Sequence, residues 1–271
     1  MFAKVILLTL AILGAGYGLM LAWMSLRQRR IVFHPDPRRS HPGDCDLPEM
    51  VPVPVRTADG CTITGWYGAP RIRDRATVVI FHGNAGTIAG RAFKARLFLD
   101  AGYGVFLAEY RGYGGNPGQP SEAGLYADGR AVLHWLISRG VPASRLVLYG
   151  ESLGSGVATQ LAGEVGPQAV VLECPFTALA DLAPPYIPPG LARMLMLDHF
   201  DNLAKIGGLA GPLLVVHGER DEVVPVAMAR ALLQAAREGA EGVFLPQGRH
   251  SDLWDHGAGP RILDFLARPA G

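Results

Sequence analysis

Charge, cysteine and metal-ligand spacing are all scarce in this chain, and each scarcity removes a class of function. Charged residues make up 18% of the 271, and a net charge of +1 offers no basic field for a nucleic-acid backbone, so no nucleic-acid partner is expected. The three cysteines, Cys45, Cys61 and Cys174, are an odd number without the paired spacing of a metal site. At least one is therefore unpaired within the chain, which points weakly to a reducing compartment. There is no internal repeat and no low-complexity tract. No G-x-x-x-x-G-K-[ST] occurs and no G-x-G-x-x-G follows the first strand, so the glycine-loop signatures of nucleotide binding are missing and no cofactor is expected. The length suits one large domain and is short for two.

Long uncharged runs are also rare, with one exception. Val5 to Leu26 contains no charged residue, and a helix of that length spans roughly 30 Å. Lys4 precedes the run, and Arg27, Arg29 and Arg30 close it. A secretory signal has a shorter apolar core and a small-residue cleavage site. This run is longer, and no such site precedes Gln28. The expectation is a retained single-pass membrane anchor over residues 1–30, with a cleaved signal or a buried core helix as the alternatives. Arg27, Arg29 and Arg30, helped by Arg38 and Arg39, outweigh Lys4 and the amino terminus. The positive-inside rule then puts the remaining chain in the cytoplasm.

Beyond a proline-rich connector to Pro54, the pattern alternates. Val53–Arg56 and Cys61–Tyr67 flank Ala58-Asp-Gly60, a hairpin signal. From Thr77 onward, apolar strands near 77–81, 105–109, 145–149, 169–173, 212–217 and 242–245 alternate with helical segments. Those segments fall near 88–101, 121–139, 153–163, 225–238 and 258–267. Such alternation indicates an α/β fold: a mostly parallel central sheet, helices on both faces, entered by an antiparallel hairpin. In such sheets ligands sit beyond the carboxyl ends of the strands.

Gly150-Glu151-Ser152-Leu153-Gly154 occupies one of those ends, between the run Arg145–Tyr149 and a helical segment. A G-x-S-x-G match is common by chance among 35 glycines, but strand, sharp turn and helix together make it a nucleophile elbow. A serine hydroxyl needs a base, and the base needs an orienting acid. In α/β-hydrolases these follow in the order Ser, Asp or Glu, His. Asp221, after the apolar run to His217, is the candidate acid, with Glu219 as its rival. His250, just beyond the last strand, is the candidate base, although a surface loop histidine would read the same way. An oxyanion hole would take the backbone N–H of Leu153 and, from the loop after Thr77–Phe81, that of Asn84. The plainer reading of that loop is a glycine turn. His82 is expected to order the loop.

These motifs resemble the Bem46-like branch of the α/β-hydrolase superfamily. The matching pieces are Phe81-His-Gly-Asn-Ala-Gly86, Glu109-Tyr-Arg-Gly-Tyr-Gly-Gly115, Pro120–Asp128, Tyr149-Gly-Glu-Ser-Leu-Gly154, Cys174-Pro-Phe-Thr177 and His217–Pro225, in the family's order. The resemblance implies a Ser-Asp-His serine hydrolase on the residues already chosen. It also implies an α/β-hydrolase domain over 31–271 with a short cap at about 175–210. Asn116 stands where relatives usually carry serine, a departure expected to touch substrate preference alone. Met194 to Leu197, in the cap, read either as an apolar wall for an acyl chain or as a helix packed on the domain.

Two kinds of function follow. The first is a membrane-anchored serine hydrolase acting on an acyl ester or thioester; some tethered relatives remove palmitoyl groups from protein cysteines. Lysophospholipase, carboxylesterase and aminopeptidase activities share the same fold and triad. The second is a non-catalytic membrane-anchored scaffold, whose mark would be a broken triad or oxyanion loop. Neither is broken in this chain.

Overall fold

The apolar segments fold as anticipated in the computed structural model, which describes residues 1–268. The expected domain's last three residues, 269–271, lie outside the described residues. Helix α1 (Phe2–Val32) is followed by β1 (His34–Pro35) and the hairpin β2 (Val51–Arg56) and β3 (Thr62–Gly68). Next come β4 (Thr77–Phe81), β5 (Ala85–Gly86), α2 (Ala92–Asp100), β6 (Gly104–Ala108), α3 (Glu122–Ile137), β7 (Leu146–Glu151) and α4 (Leu153–Val165). The chain continues through β8 (Ala169–Glu173), α5 (Pro189–Leu195), α6 (Leu203–Ile206), β9 (Leu213–Gly218), α7 (Val226–Ala235), β10 (Glu241–Leu245) and α8 (Ala258–Leu266).

Eight strands form one sheet in the order β10-β9-β8-β7-β4-β6-β3-β2, parallel from β10 to β6 and antiparallel across the β3–β2 hairpin. Every residue of β4, β6 and β8 is buried, as strands covered on both faces require. Alternate residues feed two cores. Val79 and Phe81 join the side chains of α3, α4 and α7, while Val78 and Ile80 join those of α2 and α8. Between β8 and β9 the chain leaves this rhythm for a short cap carrying α5 and α6.

Helix α1 is 31 residues long and is the one helix among the described residues long and apolar enough to cross a membrane. It runs to Val32, and its last turns are docked on the domain. Arg29 reaches Asp198 at 2.8 and 3.3 Å, and Gln28 bonds the backbone of Leu195 and Leu197 at 3.1 and 2.7 Å. The two-residue strand β1 then pairs in parallel with β5, in the loop that follows β4.

Candidate active site

Strand β7 ends at Glu151 and α4 begins at Leu153, so the whole reversal falls on Ser152. Its φ of 49° and ψ of −114° form a strained conformation for a residue with a side chain. Two glycines make the turn possible. A Cβ on Gly154 would sit 2.0 Å from the Phe81 carbonyl oxygen, and one on Gly150 would sit 2.4 Å from that of Gly154. The result projects the Ser152 hydroxyl beyond the sheet.

There it meets the two residues chosen from sequence. His250 Nε2 lies 3.0 Å from Ser152 Oγ, and His250 Nδ1 lies 2.7 Å from Asp221 Oδ2. The other oxygen of Asp221 accepts from the backbone N–H groups of Val223 and Val224, each at 2.8 Å. Burial acts to raise the Asp221 pKa. Hydrogen bonds from His217, His250 and the Val224 backbone outweigh it and hold the carboxyl well below the usual carboxylate range. The group is thus an anion facing His250, which sets a proton on Nδ1 and leaves Nε2 to accept from the serine. Glu219, the rival, is turned away toward Arg230.

The loop after β4 reaches the same place. Asn84 lines the roughly 270 Å³ cavity that holds Ser152 and His250. Among the described residues, neither the Asn84 N–H nor the Leu153 N–H donates to a protein acceptor. His82, fully buried, bonds Glu109 at 2.8 Å through Nε2 and the Gly83 carbonyl at 2.8 Å through Nδ1, so it orders the loop. Asn84 is tied to the end of α1 and to β1: its side-chain Nδ2 donates to the Val32 carbonyl at 2.9 Å, and the His34 N–H donates to its backbone carbonyl at 2.9 Å. Asn116 does not line this cavity. It holds the Thr64 N–H at 2.9 Å and the Tyr110 carbonyl at 3.3 Å, bracing its loop on β3.

A family model described as serine aminopeptidase, S33, matches residues 72–204. Protein bem46 of Schizosaccharomyces pombe is 34% identical over 230 residues, covering 79% of this chain and 76% of that one. The chain belongs to the Bem46-like branch of the α/β-hydrolase superfamily. An uncharacterized protein of Mycobacterium tuberculosis is also similar, at 38% identity over 88% of this chain and 83% of its own. Among solved structures, an esterase of Pyrococcus furiosus superposes with a TM-score of 0.71 over 89% of this chain and 99% of its own, at 21% identity. That likeness establishes the shared fold.

This Bem46-like chain also carries polar machinery that periodicity did not disclose. Lys94, 4% exposed, bridges Glu151 and Glu173 at 2.7 Å each, beside the serine. Arg91 pairs with Glu151, and Tyr149 with Glu173. Burial would raise the Glu151 carboxyl, but Lys94 and Arg91 hold it well below its ordinary value. Burial would likewise lower the Lys94 ammonium, and the two glutamates reverse that. His217 is the second omission. Its Nε2 faces the Val224 carbonyl at 2.9 Å and Asp221 Oδ2 at 3.3 Å, giving the carboxylate a second buried donor. The only signal for either was a polar residue inside an apolar stretch.

Proposed function

We propose that this hydrolase-fold chain is a membrane-anchored serine hydrolase cleaving a carboxylic ester or thioester through an acyl-enzyme. The observation that carries the reading is the unbroken relay from Asp221 Oδ2 through His250 to Ser152 Oγ, at 2.7 and 3.0 Å, on a strained elbow. Ser152 Oγ attacks the acyl carbon while its proton passes to His250 Nε2. The N–H groups of Asn84 and Leu153 stabilise the oxyanion. Collapse expels an alkoxide or thiolate, which takes the proton from His250. Water then repeats the sequence, releasing the acid and restoring the serine. Asp221 orients the imidazole and stabilises its charged form.

An ester or thioester fits the cavity better than a peptide with a free amino terminus. A terminal ammonium calls for an unengaged carboxylate, and the two acidic residues lining the cavity, Glu151 and Glu173, are already paired with Lys94 and Arg91. The anchor reading rests on the length and apolar composition of α1, and the arginines after Leu26 favour a cytoplasmic catalytic domain. Fluorophosphonate labelling of wild type and Ser152→Ala tests the proposal. Labelling lost in the variant is expected. A folded wild type that resists labelling refutes the hydrolase reading and favours the scaffold.

A further inference from the structure

Helix α1 is longer than a membrane needs. Its 31 residues extend about 46 Å at 1.5 Å per residue, against a hydrocarbon core of about 30 Å. Roughly ten residues at its carboxyl end therefore stand clear of the bilayer core, and these include Gln28 and Arg29, which are bonded to the cap. The helix and the cap do not pack solidly. Between them runs a cavity of about 190 Å³ with an almost wholly apolar lining, including Leu21, Met24 and Val32 from α1 and Leu182, Leu195 and Met196 from the cap.

One end of this groove faces the membrane. Tyr17 donates its hydroxyl to the Tyr186 carbonyl at 3.0 Å, so the cap tip reaches down α1 to a residue well inside the apolar run. Tyr186, at that contact, is 56% exposed, Met194 of the cap 72% and Trp23 of α1 59%; Leu197, beside Gln28 further along α1, is 61% exposed. Exposed aromatic and apolar side chains of this kind suit the membrane–water boundary. The other end of the groove is Val32, whose carbonyl accepts from the Asn84 side chain at 2.9 Å. Asn84 also lines the cavity containing Ser152.

We infer that this groove is the acyl-chain site: the substrate is a long-chain acyl ester or thioester taken from the bilayer, with its tail between α1 and the cap and its carbonyl at Asn84 and Leu153. The anchor helix is then one wall of the substrate site. The inference rests on the proposed hydrolase function and names its substrate class. A tail that enters here leaves the membrane without crossing water, which matches an apolar groove whose mouth is rimmed by exposed apolar residues. Leu195 and Met196 line the groove, while Met194 and Leu197 are exposed outside it.

The test uses the full chain in phosphatidylcholine vesicles, with Ser25→Phe to narrow the groove and Leu26→Phe, on an exposed position of α1, as control. Turnover of hexadecanoyl relative to butanoyl thioester is expected to fall about tenfold in Ser25→Phe, the equivalent of roughly two buried methylenes, and to stay unchanged in Leu26→Phe. An unchanged ratio in Ser25→Phe overturns the inference while leaving the hydrolase reading intact. A second readout needs no turnover. In Ser152→Ala, a hexadecanoyl ester bearing a terminal diazirine is expected to crosslink to peptides containing Met24 or Leu195, and less so when Ser25→Phe is added. Adducts confined to other peptides overturn the inference, as do groove adducts without the change in chain-length ratio, which would mark a resident bilayer lipid.

Discussion

Replacing Asp221 with asparagine isolates the orienting step of the proposed mechanism, because the structure dictates how the new amide must lie. One oxygen of Asp221 accepts from the Val223 and Val224 N–H groups at 2.8 Å each; the other faces His250 Nδ1 at 2.7 Å and, more distantly, His217 Nε2 at 3.3 Å, which has the Val224 carbonyl at 2.9 Å as its closer partner. In Asp221→Asn the amide oxygen keeps the two backbone donors, so the NH₂ turns to His250. A donor opposite Nδ1 forces that nitrogen to accept, and the ring proton moves to Nε2. Nε2 then presents a hydrogen to Ser152 and accepts nothing from it. A wrong tautomer in an otherwise intact triad costs about 10⁴ in kcat, which is about 5.5 kcal/mol at 1.36 kcal/mol per tenfold. The assay is the rate of fluorophosphonate labelling together with kcat on butanoyl thioester, on protein whose melting temperature matches wild type. A loss below about tenfold would refute the tautomer argument and deprive Asp221 of its proposed role.

Other substitutions probe the surroundings of the site. Asn84→Ala keeps the backbone N–H but removes its side-chain tie to Val32, so kcat is expected to fall with little change in KM; a pure KM effect would count against the oxyanion assignment. Lys94→Met leaves Glu151 and Glu173 without their shared buried cation, a loss of about 3–5 kcal/mol. At 2–4 °C per kcal/mol, the melting temperature should drop by about 6–20 °C, and a drop of under about 3 °C would show that the pair is not stabilising. Acid stability offers a separate check. Hydrogen bonds from Arg96 and then Arg71 hold the Glu49 carboxyl at about 2, below its ordinary 4.5. A carboxyl depressed by folding stabilises fully above its unfolded value and loses that contribution as pH falls from about 4.5 through about 2. Wild type should therefore lose more melting temperature than Glu49→Gln over that interval, and parallel curves would contradict it.

The parts legible in the sequence were those encoded locally. Strands β4 and β8 begin and end on the expected residues, Thr77–Phe81 and Ala169–Glu173, because both faces are covered and the apolar run has no gaps. Ser152 was legible because its glycines serve a turn only a few residues long. Asp221 and His250 followed from chain order and from their positions after strands. Contacts made across the chain left no such trace. Gln28 and Arg29 meet partners 167 to 169 residues away, and each reads as one more polar residue after an apolar run. Lys94 reads as one polar residue inside an apolar stretch, yet it is buried between glutamates at the ends of β7 and β8. His217 reads as part of a core strand, and its contact with Asp221 appears only when the chain turns back at Val224. Asn116 was expected to touch substrate preference; its side chain braces Thr64 and Tyr110, a contact made across the chain that the sequence does not show.

The pairing of His34–Pro35 with Ala85–Gly86 bears on how a soluble form of this protein should be cut. Trimming the chain to discard its greasy amino terminus removes Val32, the acceptor for Asn84 Nδ2, and a cut past residue 35 takes the β1 strand as well. Such a fragment keeps Ser152, His250 and Asp221 but gives up the brace on the loop that carries the proposed second oxyanion donor. Its sluggishness would then be a property of the cut and would say nothing about which substrate the intact enzyme prefers.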